Sequence, residues 1–452
     1  YPATRTHQPL ALAYLASALV KGGHYVQVID ATAERLSLEK IAKAIQAFDS
    51  GLIGITTNVG IASQAVALAK YLKKTCPTRK IVMGGPWATI EHRVIVAKGT
   101  ADIVVRCEGE ITIVKLADAL ENDSDLSRVE GITFKNHAGE LIVTPDRAFI
   151  DDLDALPFPA WELFPRSEKY RFLHRAMPFF PIMTSRGCPF DCIHCTKAVH
   201  GYKFRPRSVE NVIAELRYLK EKFRAREIFI IDDIFNNDLA RAERILDEII
   251  KNDFGFHIKF SNGIRADKLP RRLVKKLKRA GTYTVMLGIE SGNQKIVNSI
   301  GKGLNLDKVK AATKLLKEEG IITGGFFMLG HPQDSKATML ETIAFAKSLD
   351  LDYPIFFKAV PFPGTKMFDI VMKRGKMVGG HQQRVVDKYT LKQASFEMDG
   401  FTAKDVENAF TLAYRLFYLR PRKILQLIAQ FRSITELAWV IDTILKVFIK
   451  NL

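Results

Sequence analysis

The sequence predicts an α/β protein in three parts: an N-terminal doubly wound, flavodoxin-like domain, a partial (β/α)6 barrel, and a helical C-terminal extension. Two patterns and one break lead to this reading. Short apolar runs ending in turn residues alternate with stretches of helical period, which implies parallel sheets covered by helices. Leu156-Pro-Phe-Pro-Ala160 interrupts the alternation, and from Pro181 strand-then-helix recurs about six times. The expected boundaries are 1–125 for the first domain, 126–175 for a hairpin and linker, 176–375 for the barrel and 376–452 for the extension.

In order along the chain, Pro9 to Gly22 reads as the first helix, with no strand before it. Tyr1-Pro-Ala-Thr has no initiator methionine, so the chain is expected to be a fragment lacking the first strand of its sheet. Tyr25 to Asp30, Leu52 to Thr57, Lys80 to Gly85 and Ile103 to Val105 read as strands, with helices at Leu38 to Phe48 and Ile61 to Thr75. Ligands of such sheets sit at the strand carboxyl ends. Here those ends are Gly54-Ile-Thr-Thr57, Gly84-Gly85-Pro86 and Glu108-Gly109-Glu110, where glycine lets a bulky ligand approach the backbone and hydroxyls can bind its amides or phosphate. Val129 to Lys135 and Glu140 to Thr144, joined by Asn136-His-Ala-Gly139, read as a hairpin.

The second series of strands is expected at Ile182 to Ser185, Ile228 to Asp232, His257 to Ser261, Thr284 to Ile289, Thr323 to Leu329 and Ile355 to Val360. Repeated βα units close into a full or partial barrel with the active site at the strand carboxyl ends. Polar groups stand there: Asp232-Asp233, Ser261 with Asn262 and Arg265, Glu290-Ser291, and Gly330-His-Pro-Gln-Asp334. Asp267 reads as a cap or surface residue. The last fifty residues read as helices, with Leu412, Leu416, Leu419, Ile424, Leu427, Ile428 and Phe431 on apolar faces beside Arg415, Arg420, Arg422, Lys423 and Arg432. Such a face either packs on the barrel rim or lies on an anionic bilayer.

Composition bounds the rest. The chain has 452 residues, 47% of them hydrophobic, ample for two or three domains. Five cysteines, three of them in one loop, argue against a disulfide framework and for a reducing, cytoplasmic setting. No run of about twenty apolar residues suggests a membrane span. The net charge of +18 is spread along the chain among acidic neighbours, without a recognisable nucleic-acid module, so it reads as a solvated surface and no nucleic-acid partner is expected.

The chemistry concentrates in Ser185-Arg-Gly-Cys-Pro-Phe-Asp-Cys-Ile-His-Cys-Thr196, where Cys188, Cys192 and Cys195 form a Cys-x-x-x-Cys-x-x-Cys triplet. Three thiolates are one too few for a closed structural zinc site, whereas a 4Fe-4S cluster on three cysteines leaves one iron open to a small molecule. Zinc with Cys107 or a histidine as fourth ligand, or three reduced thiols, are the competing readings.

The triplet resembles the signature of the radical S-adenosylmethionine enzymes, and the ordered small strand ends before it resemble the cobalamin-binding domain of their cobalamin-dependent branch. Trp87 and Cys107 stand where that branch often has histidine and glycine. Ile-Asp-Asp-Ile-Phe235, Ser261-Asn-Gly-Ile-Arg-Ala-Asp267, Gly288-Ile-Glu-Ser-Gly292 and Pro361-Phe-Pro-Gly-Thr365 extend the resemblance over nearly the whole chain. The resemblance implies a 4Fe-4S cluster on Cys188, Cys192 and Cys195. It implies S-adenosyl-L-methionine held by His194, Asp232, Asp233, Ser261, Arg265 and Glu290, and cobalamin held by Thr56, Thr57, Gly84, Gly85, Glu108 and Gly109. None of the ten histidines follows an aspartate by two positions, so no Asp-x-His-x-x-Gly motif supplies a lower cobalt ligand. The implied activity is methylation of an unactivated carbon in a small-molecule or lipid-like substrate, with cyclisation or rearrangement as the alternative and a non-catalytic iron-sulfur or zinc protein as the second. The implied partners are that substrate and an electron donor such as flavodoxin or ferredoxin, with peripheral membrane contact open to the C-terminal helices.

Overall fold

The computed structural model describes residues 7–170, 174–378 and 393–418. It divides into two compact units: residues 1–189, 196–264 and 270–285 form the first, and residues 190–195, 265–269 and 286–452 the second. Most of the expected C-terminal basic helix pattern, from Leu419 to Arg432, lies outside the described residues.

The first unit opens with α1 (Leu10–Lys21), α2 (Leu38–Phe48), β1 (Leu52–Thr56), α3 (Ala62–Thr75), β2 (Lys80–Gly84), α4 (Pro86–Ala97), β3 (Ile103–Val105), α5 (Glu110–Glu121) and the hairpin β4 (Ile132–Lys135) and β5 (Leu141–Val143). The sheet runs β1-β2-β3-β4-β5. Its first three strands are parallel, with Thr56 beside Gly84 and Val82 beside Ile103, and the hairpin extends it antiparallel from β3. Parallel pairing follows from the helical crossovers between strands. A core of Val82, Ile103, Val105, Leu116 and Ile132 holds the layers together, and each such fully buried side chain contributes about 1.5–3 kcal/mol. Local signals act where expected: Ser37 caps α2 by accepting from Lys40 N, and Asp49 ends it in the left-handed region.

One expected strand is not formed. Residues 25–30 pair with no strand among the described residues, and β1 is the edge of the sheet. Tyr25 is 96% exposed while Val26, Val28 and Ile29 are half-buried, so the apolar run that suggested a strand packs without a ladder partner among the described residues.

The first unit continues with β6 (Phe179–Ile182), β7 (Ser185–Arg186), β8 (Arg205–Pro206), α6 (Val209–Phe223), β9 (Glu227–Ile230), α7 (Leu239–Lys251), β10 (His257–Ile264) and α8 (Arg271–Arg279). β11 (Thr282–Glu290) starts in the first unit and ends in the second. The second unit adds α9 (Gln294–Ser299), α10 (Leu306–Glu318), β12 (Ile322–Leu329), α11 (Lys336–Ser348), β13 (Tyr353–Lys358) and α12 (Lys366–Arg374). The strands align β6-β9-β10-β11-β12-β13, with parallel registers Phe179 to Glu227, Glu227 to His257 and Gly324 to Tyr353. These parallel pairs with helical crossovers are the βα units expected of a partial barrel.

The expected strand Ile182 to Ser185 divides in two. β6 stops at Ile182 because Thr184 turns its N–H and hydroxyl to Asp232, and Ser185 then starts the separate β7. The last described helix, Ala403–Tyr418, buries Val406, Ala409, Ala413 and Phe417, while Leu416 is 42% exposed and Leu412 half-buried. The apolar face read from Leu412 and Leu416 is therefore not the packed one. The packed face lies on β13, where Tyr414 donates to the Phe356 carbonyl oxygen.

Candidate active site

The cysteine loop is an excursion closed at its base by the antiparallel pair β7 and β8, with Ser185 opposite Pro206 and Arg186 opposite Arg205. Gly187 leaves β7 at φ +81°, and a Cβ there would strike the Lys203 carbonyl oxygen, so only glycine fits this turn. Cys188 and Cys192 are half-buried, Cys195 is exposed, and none is in a disulfide. Within the second unit, Ile193 donates to the Ile300 carbonyl at 2.9 Å and receives Met367 N–H on its own carbonyl at 2.9 Å. Among the described residues no three His, Cys, Asp or Glu side chains converge at metal-holding distance. The loop carries three soft thiol donors within eight consecutive residues. That donor set fits an iron-sulfur cluster with one open iron better than a closed zinc site.

In the first unit, Asp232 is fully buried and accepts from Thr184 N at 2.6 Å, Thr184 Oγ1 at 2.6 Å and Ser185 Oγ at 2.7 Å. Burial pushes its carboxyl up against these hydrogen bonds. Asp233 accepts from Gly187 N at 2.9 Å and bonds His200 Nδ1 at 2.8 Å. Burial acts to raise its carboxyl too, but His200 and the Gly187 N–H hold it below the ordinary range. Both carboxylates, expected at a cofactor ammonium, are engaged with the base of the cysteine loop. Ser261 differs: its Oγ is buried with no hydrogen-bond partner, a donor and acceptor ready for a polar ligand such as a nucleoside.

In the second unit, Arg265 grips Asp267 in a fork, Nε to Oδ1 at 2.9 Å and Nη2 to Oδ2 at 2.8 Å. Its guanidinium stacks 3.7 Å from the Phe190 ring centroid and donates to the carbonyls of Lys302 and Gly303. Asp267 is therefore the orienting partner of Arg265, neither a cap nor a surface residue, because the single turn Ala266–Lys268 folds it back. Glu290, held at φ +70°, pairs with Lys302 Nζ at 2.8 Å. Burial raises its carboxyl, but Lys302 and then His194 more than offset it. The His194 ring lies 5.9 Å from that of His331, centroid to centroid. His331 is fully buried with neither ring nitrogen hydrogen-bonded, and burial pushes its pKa down to about 4, so it is a neutral imidazole. Sequence reasoning marked the Gly330–Asp334 strand end but did not single out His331 or Lys302. Within the second unit, the orphaned His331 imidazole, the Arg265 cation and the Glu290 carboxylate are groups that fit S-adenosylmethionine; within the first, the orphaned Ser261 hydroxyl fits a nucleoside.

At the first sheet edge, Thr57 donates from Oγ1 to the Gly84 carbonyl at 2.8 Å and accepts Ala88 N–H at 3.1 Å. Thr56 is half-buried at the end of β1. Gly85 adopts φ +94°, and a Cβ there would strike the Thr57 carbonyl oxygen. Gly54 has nothing within 4 Å of a built Cβ and Gly84 only ordinary contacts, so this edge is open to a bulky, flat ligand such as a corrin. Gly109 caps α5, close under Leu15. Glu108 is buried and fully occupied by Arg186, Arg205 and the Ile150 N–H, which hold its carboxyl low against burial.

Comparison with known proteins agrees with this geometry. Residues 182–346 match the radical SAM superfamily and residues 3–117 the B12 binding domain. An uncharacterized methyltransferase of Pyrococcus horikoshii is 34% identical over 93% of this chain and 90% of its own. The anaerobic magnesium-protoporphyrin IX monomethyl ester cyclase of Rubrivivax gelatinosus is 25% identical over 91% of this chain and 74% of its own. The structure of the radical S-adenosylmethionine methyltransferase TsrM from Kitasatospora setae, with cobalamin and a [4Fe-4S] cluster bound, superposes with a TM-score of 0.72 at 16% identity, over 90% of this chain and 88% of that one. Two domain matches in the family's order and a full-length relative above 30% identity lead to one conclusion: this chain belongs to the cobalamin-dependent radical S-adenosylmethionine enzymes.

Proposed function

We propose that this enzyme methylates an unactivated carbon of a small-molecule or lipid-like substrate. The observation that supports this most is similarity to a methyltransferase running through both cofactor domains, 34% over 93% of the chain. When bound, the cluster and S-adenosylmethionine supply the radical that removes hydrogen from carbon, and cobalamin supplies the methyl group. The protein's share is binding, orientation and exclusion of water.

Cys188, Cys192 and Cys195 hold the cluster. Ser261 Oγ and the neutral His331 imidazole offer hydrogen bonds to S-adenosylmethionine, while Arg265, fixed by Asp267 and Phe190, presents a rigid cation for its carboxylate. Lys302 keeps Glu290 ionised beside His194, and Glu290 offers the anion for the ammonium. The small residues Gly54, Gly84, Gly85 and Gly109, with Thr56 beside them, seat cobalamin at the carboxyl ends of β1 to β3.

A cyclase reading has its own support in the 25% identity to the cyclase over 91% of the chain. The electron donor is a flavodoxin or ferredoxin in either reading, and contact with a membrane surface belongs to the lipid-like substrate alternative. Among the described residues no helix is long and apolar enough to cross a membrane.

The test is anaerobic reconstitution with iron, sulfide and cobalamin, followed by S-adenosylmethionine and a strong reductant. Mass spectrometry then counts 5′-deoxyadenosine and S-adenosylhomocysteine. Methylation gives both products; 5′-deoxyadenosine alone favours the cyclase reading, and neither product refutes both.

A further inference from the structure

Glu108 lies at the end of β3, on the turn into α5, between Cys107 at φ +59° and the α5 cap Gly109. Its carboxylate faces the cysteine loop. Oε1 accepts from Arg186 Nη1 at 3.1 Å and from Arg205 Nη2 at 2.8 Å, and Oε2 accepts from Arg205 Nη1 at 2.9 Å and from Ile150 N at 2.8 Å. Arg186 immediately precedes Gly187 and Cys188. Arg205 stands directly opposite Arg186 where the loop returns as β8. One carboxylate therefore holds both ends of the segment that carries the three thiols.

The clamp is dry and closed on itself. The side chains of Arg205, Glu108, Arg186 and Glu110 are 1%, 3%, 6% and 8% exposed, so these pairs are shielded from solvent competition. Glu110 takes the second arm of Arg186 at 2.6 Å. On the far side, Arg205 Nη2 donates to the His200 carbonyl at 2.8 Å, His200 bonds Asp233, and Asp233 receives Gly187 N–H, which returns the circuit to Arg186. Every link lies in the first compact unit.

From this we infer that Glu108 is a positioning residue for the cluster loop, and that it joins the cobalamin-side turn of β3 to the cysteines. It has no acceptor left for cobalamin. The family resemblance implied a cobalamin ligand; the occupied lone pairs give Glu108 a different task. Two arginines on one carboxylate set the spacing of β7 and β8, and so the place from which Cys188 leaves the base of the loop. Asp233 does the same for the first N–H of the loop. The inference rests on the cluster reading, and the iron content of the unsubstituted protein tests that reading separately.

The experiment compares Arg186→Lys, Glu108→Gln and Glu108→Ala in the full chain. Arg186→Lys leaves Glu108 paired with Arg205 and keeps the fold even if the Glu108 variants do not. Each protein is reconstituted with iron and sulfide, and separately with hydroxocobalamin. Three quantities are read: iron per chain with the electron paramagnetic resonance of the reduced cluster, the alkylation rate of Cys188 in the cluster-free protein, and cobalamin uptake by visible absorbance. The expected result for Arg186→Lys is at least threefold faster Cys188 alkylation, a broadened or shifted cluster signal and unchanged cobalamin uptake. Glu108→Gln should act in the same direction and more strongly. Cobalamin uptake lost in a folded Glu108→Gln with an unaltered cluster signal would overturn the inference, as would unaltered alkylation and spectra in Arg186→Lys.

Discussion

Replacing Gly187 by alanine tests how the cysteine loop is made. Two costs are expected. The first is conformational: φ +81° suits glycine, and an L-residue there loses about 1–2 kcal/mol, partly offset by about 0.4–1 kcal/mol from the stiffer unfolded chain. The second is steric: the new Cβ would strike the Lys203 carbonyl oxygen and lie 3.0 Å from its carbon and 3.1 Å from the His200 oxygen, all backbone atoms that cannot swing aside. Forcing β7 and β8 apart to make room adds about 1–3 kcal/mol. The sum is about 1–4.5 kcal/mol. Gly139 separates the two costs, because its φ is also +81° but nothing lies within 4 Å of its Cβ. Gly139→Ala should cost about 1 kcal/mol or less by the same conformational arithmetic. The assay is thermal unfolding under nitrogen with iron content after reconstitution. Gly187→Ala should melt roughly 4–10 °C lower and take up less than half the iron, while Gly139→Ala keeps its iron. Equal losses in the two variants, or none in Gly187→Ala, would refute the steric argument.

Other side chains give independent tests. Lys259 on β10 is 6% exposed, 4.1 Å from the Phe229 ring centroid, and burial lowers its pKa to about 8 despite nearby Glu227. The fall from its ordinary value near 10.5 corresponds to about 3 kcal/mol, of which the ring contact returns about 1. Lys259→Met should therefore stabilise the protein by about 1–2 kcal/mol at pH 7. That gain should shrink between pH 8 and 10, where the unfolded lysine still binds a proton that the folded one has lost. Ser261→Ala removes a buried unpaired hydroxyl, so the cofactor-free protein should melt at the same temperature or slightly higher while S-adenosylmethionine binds at least fivefold more weakly by equilibrium dialysis. A lower melting temperature with unchanged binding would assign Ser261 to the fold instead. His331, neutral with a pKa near 4, leaves the unfolded chain binding more protons between pH 6.5 and 4. Its contribution, up to about 3 kcal/mol, should be complete above pH 6.5 and lost as pH falls toward 4. His331→Leu should flatten that slope in acid titrations of the cofactor-free chain.

What the sequence reveals and what it conceals divide along physical lines. Apolar runs ended by glycine or polar turns mark β1, β2, β3 and the barrel strands, because burial on both faces of a parallel sheet demands continuous apolar sequence. The three thiols are legible because their donors lie within eight consecutive residues. Tyr25 to Asp30 misleads, since an apolar run records a preference for burial and not for a ladder partner: Val26, Val28 and Ile29 are half-buried with no paired strand among the described residues. Polar side chains are legible by type but not by partner. Glu108 is bound by arginines 78 and 97 positions away, and Asp233 caps Gly187 across 46. No local pattern encodes such pairings. His331 escaped notice for a related reason: a buried imidazole is distinguished by the hydrogen bonds it lacks, which only the packed neighbourhood displays.

The most direct measurement is metal analysis of one anaerobically reconstituted preparation, the chain against its Cys188→Ala, Cys192→Ala, Cys195→Ala form. The account predicts about four irons and one cobalt per chain, with iron abolished and cobalt retained in the triple variant. Zinc in place of iron, or iron retained without the three cysteines, would contradict it.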